Sequence, residues 1–242
     1  MALLKRAARL PFAAAFGAFG VEYLLAAAGR TPTPGAPWPP LWTVWACVAA
    51  ALFLASALSI AANRSSRGVN TLFGAVLLVY LLVEFLPALI RNVHNPDPWT
   101  NASEVAAMAG AALALGGRLY DLDWLRRLGE VLFALALIVF GVQHFLYAGY
   151  VASLIPVWIP AHAFVAKFTG GAMIAASLAI GSRIQEQLAA ALTGAMFLFW
   201  FFALHLPRAI QTPHSEAEWT NAFVCLAVGG GALILAEVSR AT

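Results

Sequence analysis

The stretch Leu86-Pro87-Ala88-Leu89-Ile90-Arg91-Asn92-Val93-His94-Asn95-Pro96-Asp97-Pro98-Trp99-Thr100-Asn101 returns 120 residues later. It is then Leu206-Pro207-Arg208-Ala209-Ile210-Gln211-Thr212-Pro213-His214-Ser215-Glu216-Ala217-Glu218-Trp219-Thr220-Asn221. From 86 to 115, 13 of 30 positions are identical to those at 206–235. Ala and Leu matches mean little in an apolar chain. The shared Leu-Pro, His and Trp-Thr-Asn are informative, and a fixed period marks a repeated structural unit. The register extends outward: Gly74-Ala75 meets Gly194-Ala195, and Trp38-Pro39-Pro40 meets Trp158-Ile159-Pro160. Near the start the offset becomes 121, where Phe19-Gly20-Val21-Glu22 meets Phe140-Gly141-Val142-Gln143.

The repeat lies in a chain made for hydrocarbon. Of 242 residues, 62% are hydrophobic and 10% charged, and the mean hydropathy is +0.82. Soluble domains carry about 25% charged residues. This balance excludes a soluble enzyme, a disordered chain and a nucleic-acid module. The fourteen Lys and Arg form no run that could follow a phosphate backbone. Cys47 and Cys225 stand alone in apolar segments, so no Cys-x-x-Cys metal or dithiol motif exists.

About 20 apolar residues cross a bilayer as a helix. Eight segments meet that length roughly: 10–28, 41–62, 69–90, 102–119, 125–147, 161–180, 188–206 and 221–236. They are long, rich in Ala and Leu, and lack the alternation of strands. Lys5, Arg6 and Arg9 before an apolar run resemble a signal peptide, but the repeat makes that run the counterpart of a later helix. The Pro-rich stretch from Thr31 to Pro40 separates helices one and two. Asn101 with Glu104 suggests a capping box opening helix four. The expectation is an all-α integral membrane protein of two tandem four-helix bundles, residues 1–121 and 122–242. Four helices is an even number, so the two units enter from one side, as parallel-topology repeats.

Basic residues set the expected orientation. Lys5, Arg6, Arg9, Arg64, Arg67, Arg118, Arg126, Arg127, Arg183 and Arg240 fall on one side; Arg30, Arg91 and Arg208 fall on the other, with Lys167 inside a helix near them. The excess places both termini in the cytoplasm. Glu22, Glu84, Gln143, His144, Lys167 and His205 then collect in the outer half, below His94, His162 and His214. Membrane-embedded ionisable groups usually face a bundle interior or a wet cavity. Lys167 could pair with Glu22 or Glu84 there, and the bland alternative is that all of them fix helix packing. His144, His162 and His205 are the residues that could bind haem, copper or zinc, although no motif spacing supports this. Trp38, Trp42, Trp45, Trp99, Trp158 and Trp219 read as an interfacial aromatic belt.

Gly141-Val142-Gln143-His144-Phe145, Pro156-Val157-Trp158-Ile159-Pro160, Thr169-Gly170-Gly171-Ala172 and Leu206-Pro207-Arg208 give the second half a further feature. It resembles the DoxX-like family of small bacterial membrane proteins over roughly 125–238. The resemblance implies a four-helix membrane bundle and an association with quinol oxidase or thiosulfate:quinone chemistry. This chain differs in being a tandem form. The leading expectation is an accessory subunit of the bacterial inner membrane in a respiratory context, with an outward polar cavity that takes quinone. His144 or His205 would bond a quinone carbonyl, with Lys167 and Glu22 tuning protonation. The alternatives are a small-solute transporter or channel, and a structural subunit joined helix to helix within a larger complex. The lipid bilayer is the one partner common to all three.

Overall fold

The computed structural model describes residues 2–29, 42–62 and 67–239. The Pro-rich stretch from Thr31 to Pro40, with Arg30, Arg64 and Arg240, lies outside the described residues, as do the side chains of Lys5, Arg6, Trp42 and Arg67. The described residues form helices joined by short turns, with no strand. In chain order the helices are α1 (Ala2–Ala27), α2 (Trp42–Ala61), α3 (Arg67–Tyr80), α4 (Leu86–Arg91), α5 (Pro96–Tyr120), α6 (Asp123–Leu146), α7 (Ala148–Leu154), α8 (His162–Ser182), α9 (Glu186–Trp200), α10 (Leu206–Gln211) and α11 (Glu216–Val238).

Two π-helical turns, Leu81–Phe85 and Phe201–His205, join α3 to α4 and α9 to α10 into continuous rods. Each stands directly before a Leu-Pro pair, and the cause is the proline. Pro87 and Pro207 have no N–H, and their rings crowd the carbonyl one turn back. Widening that turn relieves the crowding. The N–H of Leu86 then reaches Leu81 O, and that of Leu206 reaches Phe201 O, five residues back.

Among the described residues, seven helical segments are long and apolar enough to cross a membrane: Ala7–Ala27, Thr43–Ala61, Gly68–Arg91, Asp123–Leu146, His162–Ser182, Glu186–Gln211 and Glu216–Val238. This is the architecture of an α-helical membrane protein. Exposed apolar side chains such as Leu58, Leu72, Leu135 and Phe168 suit contact with lipid. The remaining long helix, α5, is the segment expected as a fourth span. It has 25 residues and is buried almost continuously from Ala102 to Gly117, largely by Ala and Gly. Protein neighbours rather than lipid surround it, so it needs small residues more than hydrophobic ones.

The fourth rod also begins earlier than the expected Asn101–Glu104 box. Asn95 caps it, accepting from Asp97 N–H at 3.1 Å, and Pro96 and Pro98 occupy the first turn, where no N–H is required. Ser215 caps α11 by accepting from Glu218 N–H at 3.4 Å.

Packing does not follow the two halves of the chain. α1 lies along α2 and α11, whereas α5 lies along α3, α6 and α11. α8 joins α6 to α9, and α9 returns to α11. One buried cluster draws Phe12 and Phe16 from α1, Phe53 from α2, Phe133 and Leu137 from α6, and Leu235 from α11. Two close crossings depend on glycine. A Cβ on Gly110 would stand 2.6 Å from Gly129 O in α6, and one on Gly230 would strike the backbone N of Phe12 in α1.

Candidate functional site

α5 and α11 begin at the end of the molecule where α1 and α6 finish. Here two equivalent polar contacts tie helices together. Gln143 of α6 donates its amide N–H to Pro96 O at 3.2 Å, and its amide oxygen lies 3.2 Å from the Thr100 hydroxyl of α5. Thr220 of α11 donates to Glu22 Oε1 of α1 at 3.3 Å. The indole N–H groups of Trp99 and Trp219 cap the adjoining turns, donating to Val93 O at 3.0 Å and Pro213 O at 3.2 Å.

A cleft of about 330 Å³ opens beside the first of these contacts. Its apolar wall includes Ile138, Val142 and Leu146, and its polar rim is His94, Trp99, Gln143 and Tyr147. Gln143 uses one amide hydrogen on Pro96, so the second remains available to a ligand. A separate groove of about 350 Å³ lies between α8 and α9, bounded by Trp158, Phe168, Phe199 and Trp200. Thr169 is its sole hydroxyl-bearing wall residue, so it offers little besides apolar contact.

The other residues expected at the site occupy separate settings. His144 packs toward α8, its Cβ within 2.6 Å of where a Gly170 Cβ would stand. Its Nδ1 lies 2.8 Å from Phe140 O. A carbonyl can only accept, so in the neutral ring Nδ1 carries the hydrogen and Nε2 remains an acceptor. His205 ends the second π turn beside Arg208 and Glu218, which form a two-pronged ion pair at 2.7 and 3.1 Å. His162 is the first residue of α8 and is half-buried. Glu84 and Lys167 are exposed, and among the described residues Lys167 pairs with neither Glu22 nor Glu84. No three His, Cys, Asp or Glu side chains among the described residues stand together as a metal site.

The most developed charge network is at the opposite end. Glu130 of α6 is fully buried. Arg126 donates to its Oε1, while Arg127 and Arg183 approach its Oε2 at 3.5 and 3.3 Å. Arg127 also donates to Ile180 O at 3.3 Å and to Gly181 O, closing the last turn of α8. Glu186 lies beside Glu130 and Ser239, with Oε1 buried and unbonded among the described residues. Across the bundle, Arg9 of α1 grips Glu237 of α11 at 2.5 and 2.7 Å. The spacing of Arg126, Arg127 and Glu130 puts them on one helix face, and that was a readable signal. The approach of Arg183 from α8 had none.

Comparisons of the chain with protein-family models, curated proteins and solved structures find no match.

Proposed function

We propose that the chain is a tandem DoxX-like protein of the bacterial inner membrane with eight spans and both termini in the cytoplasm. Its role is that of an accessory subunit in a respiratory or redox context. It holds a quinone head group in the cleft between α5 and α6, with the isoprenoid tail in lipid.

The doubled architecture draws support from contacts related by the sequence offset. Thr100–Gln143 corresponds to Thr220–Glu22, and the Gly74–Leu113 approach corresponds to Gly194–Leu233. The π turns repeat at the same offset. In this reading the repeats exchange their last helices: α5 packs on α6 of the second unit, and α11 on α1 of the first. α5 is the fourth span, shielded from lipid by its neighbours.

The observation that carries the quinone reading is the wall chemistry of the α5–α6 cleft. Gln143 presents an amide hydrogen beside aromatic and aliphatic surface. A quinone needs that combination: a flat apolar ring with a carbonyl acceptor at its edge. Gln143 therefore replaces His144 and His205 as the carbonyl partner.

The test titrates a short-chain quinone analogue into detergent-purified protein and follows tryptophan fluorescence, with native mass spectrometry of the protein as isolated. Saturable quenching is expected, weakened roughly 3–10-fold by Gln143→Leu, the loss of about one hydrogen bond. Absence of both copurified quinone and saturable quenching overturns the reading.

A further inference from the structure

We propose that Arg127 and Arg183 form a site for the phosphate of an anionic phospholipid head group, at the end of the molecule where α6 begins and α8 ends. This does not depend on the quinone cleft, which lies at the other end.

The argument starts from how the three arginines share their carboxylates. Arg126 is buried and well supplied: it donates to Glu130 and lies 3.7 Å from Asp123. Arg127 and Arg183 converge on one atom, Glu130 Oε2, at the long separations of 3.5 and 3.3 Å. Neither has a carboxylate of its own among the described residues. Their side chains are 35% and 42% exposed, so neither is sealed from its surroundings.

The site is anchored rather than loose. Glu130 is fully buried beneath the pair, and Arg127 is held further by the Ile180 and Gly181 carbonyls. Among the described residues Arg183 commits only Nη2 to the protein, and Arg127 keeps hydrogens on Nη2 and Nε, so the pair meeting at Glu130 Oε2 can still donate to the oxygens of a phosphate. The surroundings favour a lipid over a free ion. Trp124 stands one turn before Arg127 on the same face of α6, and Ile184 follows Arg183; both are strongly exposed. Exposed Trp and Ile beside arginine at the ends of spanning helices suit the boundary between head groups and acyl chains. Basic pockets between such helices recognise anionic head groups.

The experiment is native mass spectrometry of the full chain from micelles containing equal phosphatidylglycerol and phosphatidylcholine. Phosphatidylglycerol should be retained roughly 25-fold over phosphatidylcholine, about fivefold for each arginine. Removing one such charge should cost about fivefold in retention. Arg127→Gln with Arg183→Gln should bring phosphatidylglycerol down to the phosphatidylcholine level, while Arg91→Gln at the other end leaves it unchanged. Should the double variant not fold, Arg183→Gln alone preserves the Arg126–Glu130 pair and the α8 closure, and should still show the single-charge loss. Equal retention of the two lipids by the native protein overturns the proposal, as does undiminished retention in the variant that folds. A third arm adds millimolar inorganic phosphate: displacement of phosphatidylglycerol by it would mean a free-phosphate site and overturn the lipid assignment.

Discussion

Thr220 and Glu22 are 198 positions apart in the chain, yet the threonine hydroxyl donates to the carboxylate at 3.3 Å. The contact locks the beginning of α11 to the end of α1. Thr100 and Gln143 do the same for α5 and α6, with an amide where the first pair has a carboxylate. The two pairs make opposite demands on mutation, because an amide keeps its hydrogen bonds without carrying charge.

Thr220→Val should destabilise the protein by about 1–3 kcal/mol, since it strips a partner from a half-buried carboxylate. In a Glu22→Gln background the same change should cost less. Thermal unfolding in detergent of the two single variants and the double variant measures the coupling. A coupling of zero would mean that the contact contributes nothing.

Glu130→Ala should be among the most damaging single changes, at about 3–5 kcal/mol, because it leaves buried Arg126 with only the exposed Asp123 carboxylate at 3.7 Å. Replacing Arg126 and Glu130 together with Met and Leu should recover most of that loss. The melting midpoints of both variants decide this, and a double variant as weak as the single one contradicts it.

Gly110→Val should cost about 1–3 kcal/mol through overpacking against the α6 backbone. Gly149→Val should be near neutral, because nothing lies within 4 Å of a Cβ there. Gel-filtration homogeneity and melting midpoint provide the comparison.

Single cysteines at Gly149 and Ser182 should label from opposite sides of the membrane in a Cys47→Ser background. A membrane-impermeant maleimide applied to spheroplasts should reach position 149, at the start of α7, and miss position 182, at the end of α8. The reverse pattern would invert the orientation drawn from the basic residues. Cys225 is buried and should stay unlabelled.

Much of the helical plan was readable in advance. The seven helical segments long and apolar enough to cross a membrane among the described residues fall on apolar runs, because the cost of putting a residue in hydrocarbon is largely its own property, whatever its neighbours. The π turns were not expected from the sequence, although their cause, the missing N–H of Pro87 and Pro207, is a local fact. The candidate site was less open to such reading. Depth along a helix can be counted, so the sequence alone allows Glu22, Gln143 and His144 to be expected near one end. Which way each points depends on the rotation of its helix.

That rotation separates Gln143, held in a cleft by Pro96 and Thr100, from Lys167 and Glu84, left exposed. It also brings Arg183 to Glu130 across 53 residues, where the sequence offered only two charges near a boundary. The sequence by itself determined that this is a helical chain for a membrane, carrying a repeated motif and a known set of ionisable groups. The tertiary structure alone decided that α1 rests on α11, that α5 is enclosed, and which charges meet. The physical reason is that hydropathy and backbone chemistry act residue by residue. Helix partnership instead depends on how closely two particular surfaces approach, as Gly110 and Gly230 allow at their crossings.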